Sequence, residues 1–441
     1  MKKILPILLI LLIIAGAAYW YFFMRMPADT TGQGSNSGDQ QGGFQPFGRP
    51  PTGGGQQNAG GGTTPVTSTT TDTTTPAKIP ALRLLSATPV GGYAASTTAS
   101  TTVIRWVDRG RGNIYETKGD TLAVTTLSNT VVPRIYQSVW NKDASAFIAS
   151  SLDEAETSIS SVYADIKARI LPKVATSTSA SSTPPQSLGV GADGQTITPY
   201  ELKGKNLPEN IITYAASPKK DKLFMLVNEN GMGTGYVSTF DGKSVTQIFS
   251  TPLTQLNAEW PEENTIALTT RGTATEGGYL YFVNAKTGVW NKILGPLAGI
   301  STRVSSDAKR VIVSTTGSNK NVLTSVYTVA DKKGIDAIVR TLADKCVWGN
   351  FYKEMVYCAT PAQPVDGVYP DDWYAGTVST VDKIWQINGV TGEIKLLSSI
   401  IDTSNRIIDA FNLGLDQKDD FLFFMNKNDL SLWSLDLISS N

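Results

Sequence analysis

The sequence predicts an all-β fold, a seven-bladed β-propeller of four-stranded antiparallel blades, on three observations. Residues 80–441 consist of short Val, Ile, Leu, Phe and Tyr runs broken every few residues by turn formers, the pattern of many short strands. The segments SPKKDKLFMLV, WPEENTIALTT, SSDAKRVIVST and FYKEMVYCAT stack with a 44-residue period, which puts Phe224, Leu268, Ile312 and Val356 in one apolar column. Ala216, Trp260, Val304 and Trp348 fill a second column just before the turn. Each hairpin leads to another with an aromatic-rich strand and a glycine turn, as in GYLYFVNAKTGVWNKI and KIWQINGVTGEIKLL. Four strands in 44 residues make a unit of propeller-blade size. One blade cannot bury both of its faces, so copies must pack around a ring.

Taken in order, the blades fall at 91–128, 131–204, 211–252, 254–297, 299–342, 343–398 and 404–437. Six or eight blades are the alternative counts, and a pair of β-sandwiches is the competing fold, which leaves the 44-residue register without a reason. The seventh blade supplies only three strands, RIIDAFNLGLD, DFLFFMN and SLWSLDL. ALRLLS at 81–86 provides the fourth, which joins the chain ends and removes an exposed sheet edge. A Ser/Thr/Pro/Gly-rich segment, 174–196, interrupts the second blade as a disordered insertion. The connection 361–380 lengthens the sixth.

Ahead of the propeller, residues 1–26 read as a transmembrane signal anchor. The run 4–23, ILPILLILLIIAGAAYWYFF, is uncharged and about as long as a membrane-spanning helix requires. Lys2 and Lys3 precede it and Tyr19, Trp20 and Tyr21 close it, which puts the N-terminus in the cytoplasm. A cleaved signal peptide is the alternative, since small residues lie near Ala15–Ala18. Residues 27–79 are almost wholly Gly, Thr, Ser, Gln, Pro and Asn, a disordered stalk reaching about 40 Å. The expected arrangement is a single-pass cell-membrane protein with an extracytoplasmic propeller.

These blades resemble those of WD-repeat and TolB-like propellers, although the Gly-His…Trp-Asp signature is missing and cannot occur in a chain without histidine. The combination KCVWGNFYKEMVYCATP, YPDDWYAG and DKIWQINGVTGE also resembles membrane-anchored propeller proteins of candidate-phylum, Parcubacteria-type bacteria. That resemblance spans about 80–441 and the anchor-plus-stalk layout. It implies the architecture and brings no activity with it.

Charge is balanced, 38 basic against 38 acidic residues, so no nucleic-acid partner is expected. The absence of histidine excludes Ser-His-Asp and Cys-His catalysis and histidine metal ligation. No other catalytic motif stands out, and neither a metal nor a cofactor is expected. Cys346 and Cys358 are the two cysteines, six residues either side of Tyr352. In a hairpin turning at Tyr352 they oppose one another at about the 4.5–5.5 Å Cβ separation of cross-strand pairs. A disulfide fits an extracytoplasmic domain, and two buried free thiols are the alternative. Zinc lacks ligands, and the spacing is not that of a redox C-x-x-C pair.

The sixth-blade connection concentrates Asp366, Tyr369, Asp371, Asp372, Trp373 and Tyr374, adjacent carboxylates beside aromatics that could take a sugar, a cation or a peptide. The bland alternative is a solvated turn with Trp373 and Tyr374 packed over the blade. Asp416, Asp419 and Asp420 read as a solvated acidic turn, with calcium the sharper reading. Trp140, Trp260 and Trp348 read as inter-blade packing. By connectivity, the stalk and the insertion belong to one face and the 361–380 connection to the other. The expected function is a protein- or glycan-binding or scaffold module of the cell envelope. A carboxylate-based glycan hydrolase or lyase, or a small-solute sensor, is the rival.

Overall fold

A computed structural model of the chain describes residues 78–98, 101–153, 158–169 and 198–439. The anchor at 4–23, the stalk at 27–79 as far as residue 77, and the insertion at 174–196 lie outside the described residues. Among the described residues, no helix is long and apolar enough to cross a membrane.

The strands form seven four-stranded antiparallel sheets, each one blade. Blade 3 (Ile211–Ala216, Lys222–Glu229, Met232–Thr239, Thr246–Thr251) and blade 4 (Leu256–Glu262, Thr265–Thr270, Gly277–Asn284, Trp290–Ala298) show the repeat most plainly. Blade 5 comprises Ser301–Val304, Arg310–Thr316, Val322–Thr328 and Lys333–Asp336, and blade 6 comprises Cys346–Trp348, Met355–Pro361, Asp382–Asn388 and Ile394–Ser399. Blades 1 and 2 begin at Val90 and Ile135. First strands of successive blades neighbour one another from blade 1 through blade 7, so they line the inside of the ring.

Blade 7 takes Ala410–Leu415, Phe421–Asn426 and Leu432–Asp436 from the C-terminal end and Leu82–Ser86 from the N-terminal side. The closing strand pairs Leu82 with Leu435, Arg83 with Ser434 and Leu84 with Trp433. Arg83 is buried, and its guanidinium donates to Thr117 Oγ1 at 2.8 Å, joining the closing strand to blade 1.

The 44-residue column is where blades meet. Phe224, Leu268, Ile312 and Val356 are all 0% exposed. Phe224 and Leu268 share one cluster across blades 3 and 4, and Ile312 and Val356 share another across blades 5 and 6. Trp140, Trp260 and Trp348 are buried as well, and Trp348 Nε1 donates to the Arg303 carbonyl of blade 5 at 2.8 Å. In the outer hairpin of blade 4, Gly288 has φ 68°, and a Cβ there would stand 1.9 Å from the Ile248 carbonyl oxygen. Only glycine fits that turn.

Cys346 and Cys358 are directly paired across the first hairpin of blade 6 and form a disulfide. The acidic turn departs from its reading as solvated, because Asp416 and Asp419 are buried. Asp419 reaches across from blade 7 and accepts the backbone N–H groups of Asn350, Phe351 and Tyr352, at 2.8–3.1 Å. It thus holds the tip of the cysteine hairpin. Burial is the largest influence on the Asp419 carboxyl and carries it above the ordinary range, while the three N–H donors pull the other way.

Candidate functional site

The connection 362–381 between the second and third strands of blade 6 is anchored on four blades. Its one helix, α1 (Asp371–Ala375), ends at Gly376 with φ 77°. Asp371 Oδ2 accepts the Ala274 N–H of blade 4 at 2.8 Å, and Thr316 Oγ1 of blade 5 donates to the Tyr369 carbonyl at 2.7 Å. The Tyr374 hydroxyl donates to Asp344, just ahead of blade 6, and Ser379 donates to Asn428 of blade 7. Asp372 Oδ2 accepts the Val368 N–H at 2.7 Å, closing the turn from within.

Beneath α1 lies a buried charge cluster. Lys345 is 2% exposed, and Asp382 and Asp409 are 0% exposed. Lys345 Nζ stands 2.6 Å from Asp409 Oδ1, 2.8 Å from Asp382 Oδ2 and 2.6 Å from Thr380 Oγ1. Thr380 Oγ1 is also 2.9 Å from both Asp382 Oδ1 and Asp409 Oδ1. One hydroxyl hydrogen cannot serve two carboxylates while Lys345 occupies one lone pair. The count closes if Thr380 donates to Asp409 and a protonated Asp382 donates to Thr380.

The surroundings agree with that assignment. Burial pushes the Asp382 carboxyl up, against the pull of Lys345. Burial also opposes charge on Asp409, but Lys345 and the donors Trp373 and Thr380 bring its carboxyl below the usual range. Asp409 Oδ2 takes Trp373 Nε1 at 3.1 Å and the Thr380 N–H at 3.2 Å. The cluster is therefore neutral overall, one ammonium with one carboxylate, and it fixes Trp373 under α1.

Beside this cluster opens a cavity of about 510 Å³ between blades 5 and 6. Its origin is topological. The fourth strand of blade 5 stops at Asp336 and pairs only with Ser325–Thr328, which leaves the outer edge at Val322–Thr324 without a strand. The chain then turns inward through Ile338, a β-branched residue held at φ 64°, where such side chains are rarely found. Val322, Val339 and Leu342 wall one side, Val365 and Ile394 the other, and Tyr369, Trp373 and Trp385 supply aromatic surface. Asn319, Asn321, Arg340 and Asp366 are exposed and also line it, and Lys345 reaches its floor.

The six residues singled out in this connection therefore separate. Asp366, Tyr369 and Trp373 line the cavity. Asp371, Asp372 and Tyr374 are engaged in ties to backbone or to Asp344. Trp373 and Tyr369 are buried, at 5% and 7% exposure, and the Trp373 indole N–H is drawn down onto Asp409. Lys345, Thr380, Asp382 and Asp409 were missed. The available signal was a charge set among apolar neighbours, as in RIIDAFNL. On the inner strands, Arg303 lies 3.5 Å from Glu259 and 3.7 Å from Asp344. Burial raises the Glu259 carboxyl against the pull of Arg303. Both raised carboxyls near this face, Glu259 and Asp382, already have cationic partners.

The sequence matches no known family model and no curated protein sequence. Among solved structures, the chain is similar to TolB from Acinetobacter baumannii (11% identity, TM-score 0.37, 78% of this chain and 62% of that one). It is similar to the β-propeller domain of the Trilobed protease from Pyrococcus furiosus (13%, TM-score 0.46, 78% and 94%). A puromycin-hydrolyzing peptidase of Mycobacterium tuberculosis is matched at 13% identity and TM-score 0.42, over 77% of this chain and 52% of that one. The chain thus spans less than two thirds of TolB and about half of the peptidase. Likeness at this level carries no argument, and the propeller rests on the seven sheets themselves.

Proposed function

We propose that this chain is a binding module of the cell envelope, and that the cavity between blades 5 and 6 is its receptor site. In this reading residues 4–23 anchor the chain, 27–79 hold the propeller clear of the membrane, and the face bearing the 362–381 connection points outward. The layout is that of the membrane-anchored propellers of candidate-phylum bacteria which the sequence resembles.

The observation that carries the reading is the cavity. Its 510 Å³ lie within the range of about 300–1,000 Å³ typical of small-molecule sites, and its walls are mostly apolar and aromatic, with exposed polar groups at the rim and the buried Thr341, Lys345, Thr360 and Thr380 deeper in. Its roof is tied to four blades, so the shape is formed before a ligand arrives. A propeller alone supports binding or catalysis equally, so the fold does not choose between them. The hydrolase or lyase alternative needs two free opposed carboxyls, and the two raised ones near this face, Glu259 and Asp382, are paired with Arg303 and Lys345.

Val365, half-buried in the connection, offers a test. Val365→Trp puts an indole into the cavity, which obstructs it, and leaves every tie of the roof in place. Envelope glycans, peptides and small molecules that bind the wild-type chain are expected to lose affinity for the variant. Equal affinity for both proteins across all of them would sink the reading.

A further inference from the structure

Resting on the cavity as the binding site, we propose that its ligand is an extended peptide segment of a partner protein. The segment pairs with the bare edge of blade 5 as the missing end of its fourth strand and seats one apolar side chain between blades 5 and 6.

The backbone carries the argument. In the other six blades the cover over the third strand reaches its first or second residue. Ile114, Gly233, Gly277, Lys383 and Leu432 pair with a fourth strand, and the Ile159 carbonyl accepts the Asn210 N–H. Blade 5 stops short. Its last cover is the Ala337 N–H on the Thr324 carbonyl at 3.0 Å, after which the backbone of Thr341 bonds to the Thr324 hydroxyl. The Gly317 N–H donates to the Asn321 carbonyl, so Asn321 faces the second strand, and alternation aims the N–H and C=O of Val322 at the open side. Among the described residues, no strand or loop backbone meets them there. An uncovered edge is a template for a further strand. Val322 is 9% exposed and lines the cavity, so this edge lies in the wall of a formed site.

The same register defines the side chain. Residues opposed across an antiparallel pair share one face of the sheet. Val322 packs with Leu342, Tyr369 and Trp373, so the peptide residue opposite Val322 projects among them, toward Val365. The residues before and after it point to the other face. Main-chain pairing therefore accepts many sequences, and the one inward side chain, aliphatic or aromatic, selects among them. A sugar has no amide N–H and C=O spaced to match both groups of Val322.

The test uses the full-length chain with five probes: acetyl-Lys-Thr-Leu-Thr-Lys-amide, the same peptide N-methylated at leucine, the same peptide with glycine for leucine, chitotriose and naphthalene. Saturable binding of the parent peptide is expected, abolished by Val365→Trp. N-methylation should weaken it about three- to ten-fold, the loss of one net hydrogen bond. Glycine should weaken it at least about ten-fold, through the lost burial of leucine. Val322→Pro removes an N–H that has no partner in the fold, so the variant should still unfold cooperatively yet lose affinity for the peptide. Equal affinity for the parent and N-methylated peptides would overturn the strand pairing. If chitotriose or naphthalene binds, Val365→Trp abolishes it and the peptide does not bind, the ligand class is wrong and the cavity stands. If no probe responds to Val365→Trp, the cavity reading itself fails, and this inference with it.

Discussion

Replacing Asp382 and Asp409 by asparagine, one at a time, separates two carboxyls that share a lysine and look alike. In Asp382→Asn the amide nitrogen takes the place of Oδ1 and donates to Thr380 Oγ1, 2.9 Å away. The amide oxygen takes the place of Oδ2 and keeps Lys345 at 2.8 Å and the Ala410 N–H at 2.6 Å. Nothing is lost, because asparagine reproduces the protonated acid, and the variant should lie within about 1 kcal/mol of wild type. Asp409→Asn has no such orientation. Oδ1 faces Lys345 and Thr380, while Oδ2 faces Trp373 Nε1 and the Thr380 N–H. Either way an NH₂ group meets donors in a buried site, and the loss should be about 3–5 kcal/mol.

Denaturant midpoints at neutral pH read both values. The pH dependence adds a sign. Asp409, held below the ordinary carboxylate range, gives stability present above its unfolded value and lost as pH falls through its folded one. Asp382, held above that range, gives stability complete at low pH and lost as pH rises through its folded value. Asp382→Asn removes that second loss, so the variant should gain on wild type as pH rises above the ordinary carboxylate value. Equal destabilisation by the two substitutions would refute the proton count and leave a cluster with one uncompensated negative charge.

Three further outcomes follow from the fold. Reducing the disulfide, or replacing Cys346 and Cys358 by alanine, should lower the unfolding free energy by about 3 kcal/mol, as denaturation with and without reductant would show; identical curves would mean the bond contributes nothing. Asp419→Ala removes the acceptor of three N–H groups at the tip of the cysteine hairpin and should cost about 2–4 kcal/mol, with faster hydrogen exchange at Asn350–Tyr352; unchanged exchange there would count against the tie. Deleting the closing strand Leu82–Ser86 bares the edge of Leu432–Asp436 and should make the chain self-associate in sedimentation velocity; a monomer of wild-type stability would contradict ring closure by that strand.

What the sequence showed and what it hid have separate physical causes. The repeat was legible because inter-blade packing imposes the same apolar column on every unit, and Phe224, Leu268, Ile312 and Val356 are indeed sealed. The cysteine pair was legible because antiparallel register is counting from a turn, and Val347 with Tyr357 and Trp348 with Val356 continue the ladder. The ring-closing strand was legible because a three-stranded blade leaves an edge that something must cover. The site was not. Lys345, Thr380, Asp382 and Asp409 come from different elements, and no local pattern couples Lys345 to an aspartate in the next blade. Trp373 and Tyr374 are adjacent in sequence, yet one is sealed against Asp409 and the other half in solvent, a distinction set by which blades α1 crosses. The cavity follows from blade 5 ending its outer strand at Asp336, and turn chemistry alone does not reveal that.

The claim that the blade 5–6 cavity is the contact site is tested most directly by site-specific photo-cross-linking in cells. One chain carries a small diazirine amino acid, close to leucine in size, at Val365, on the cavity wall. A second carries it at Val289, exposed in a hairpin at the opposite ends of the strands. The account predicts an adduct of defined mass from position 365, abolished when Tyr369 and Trp385 are both replaced by alanine, and none from 289. An adduct from 289 with none from 365 would contradict it.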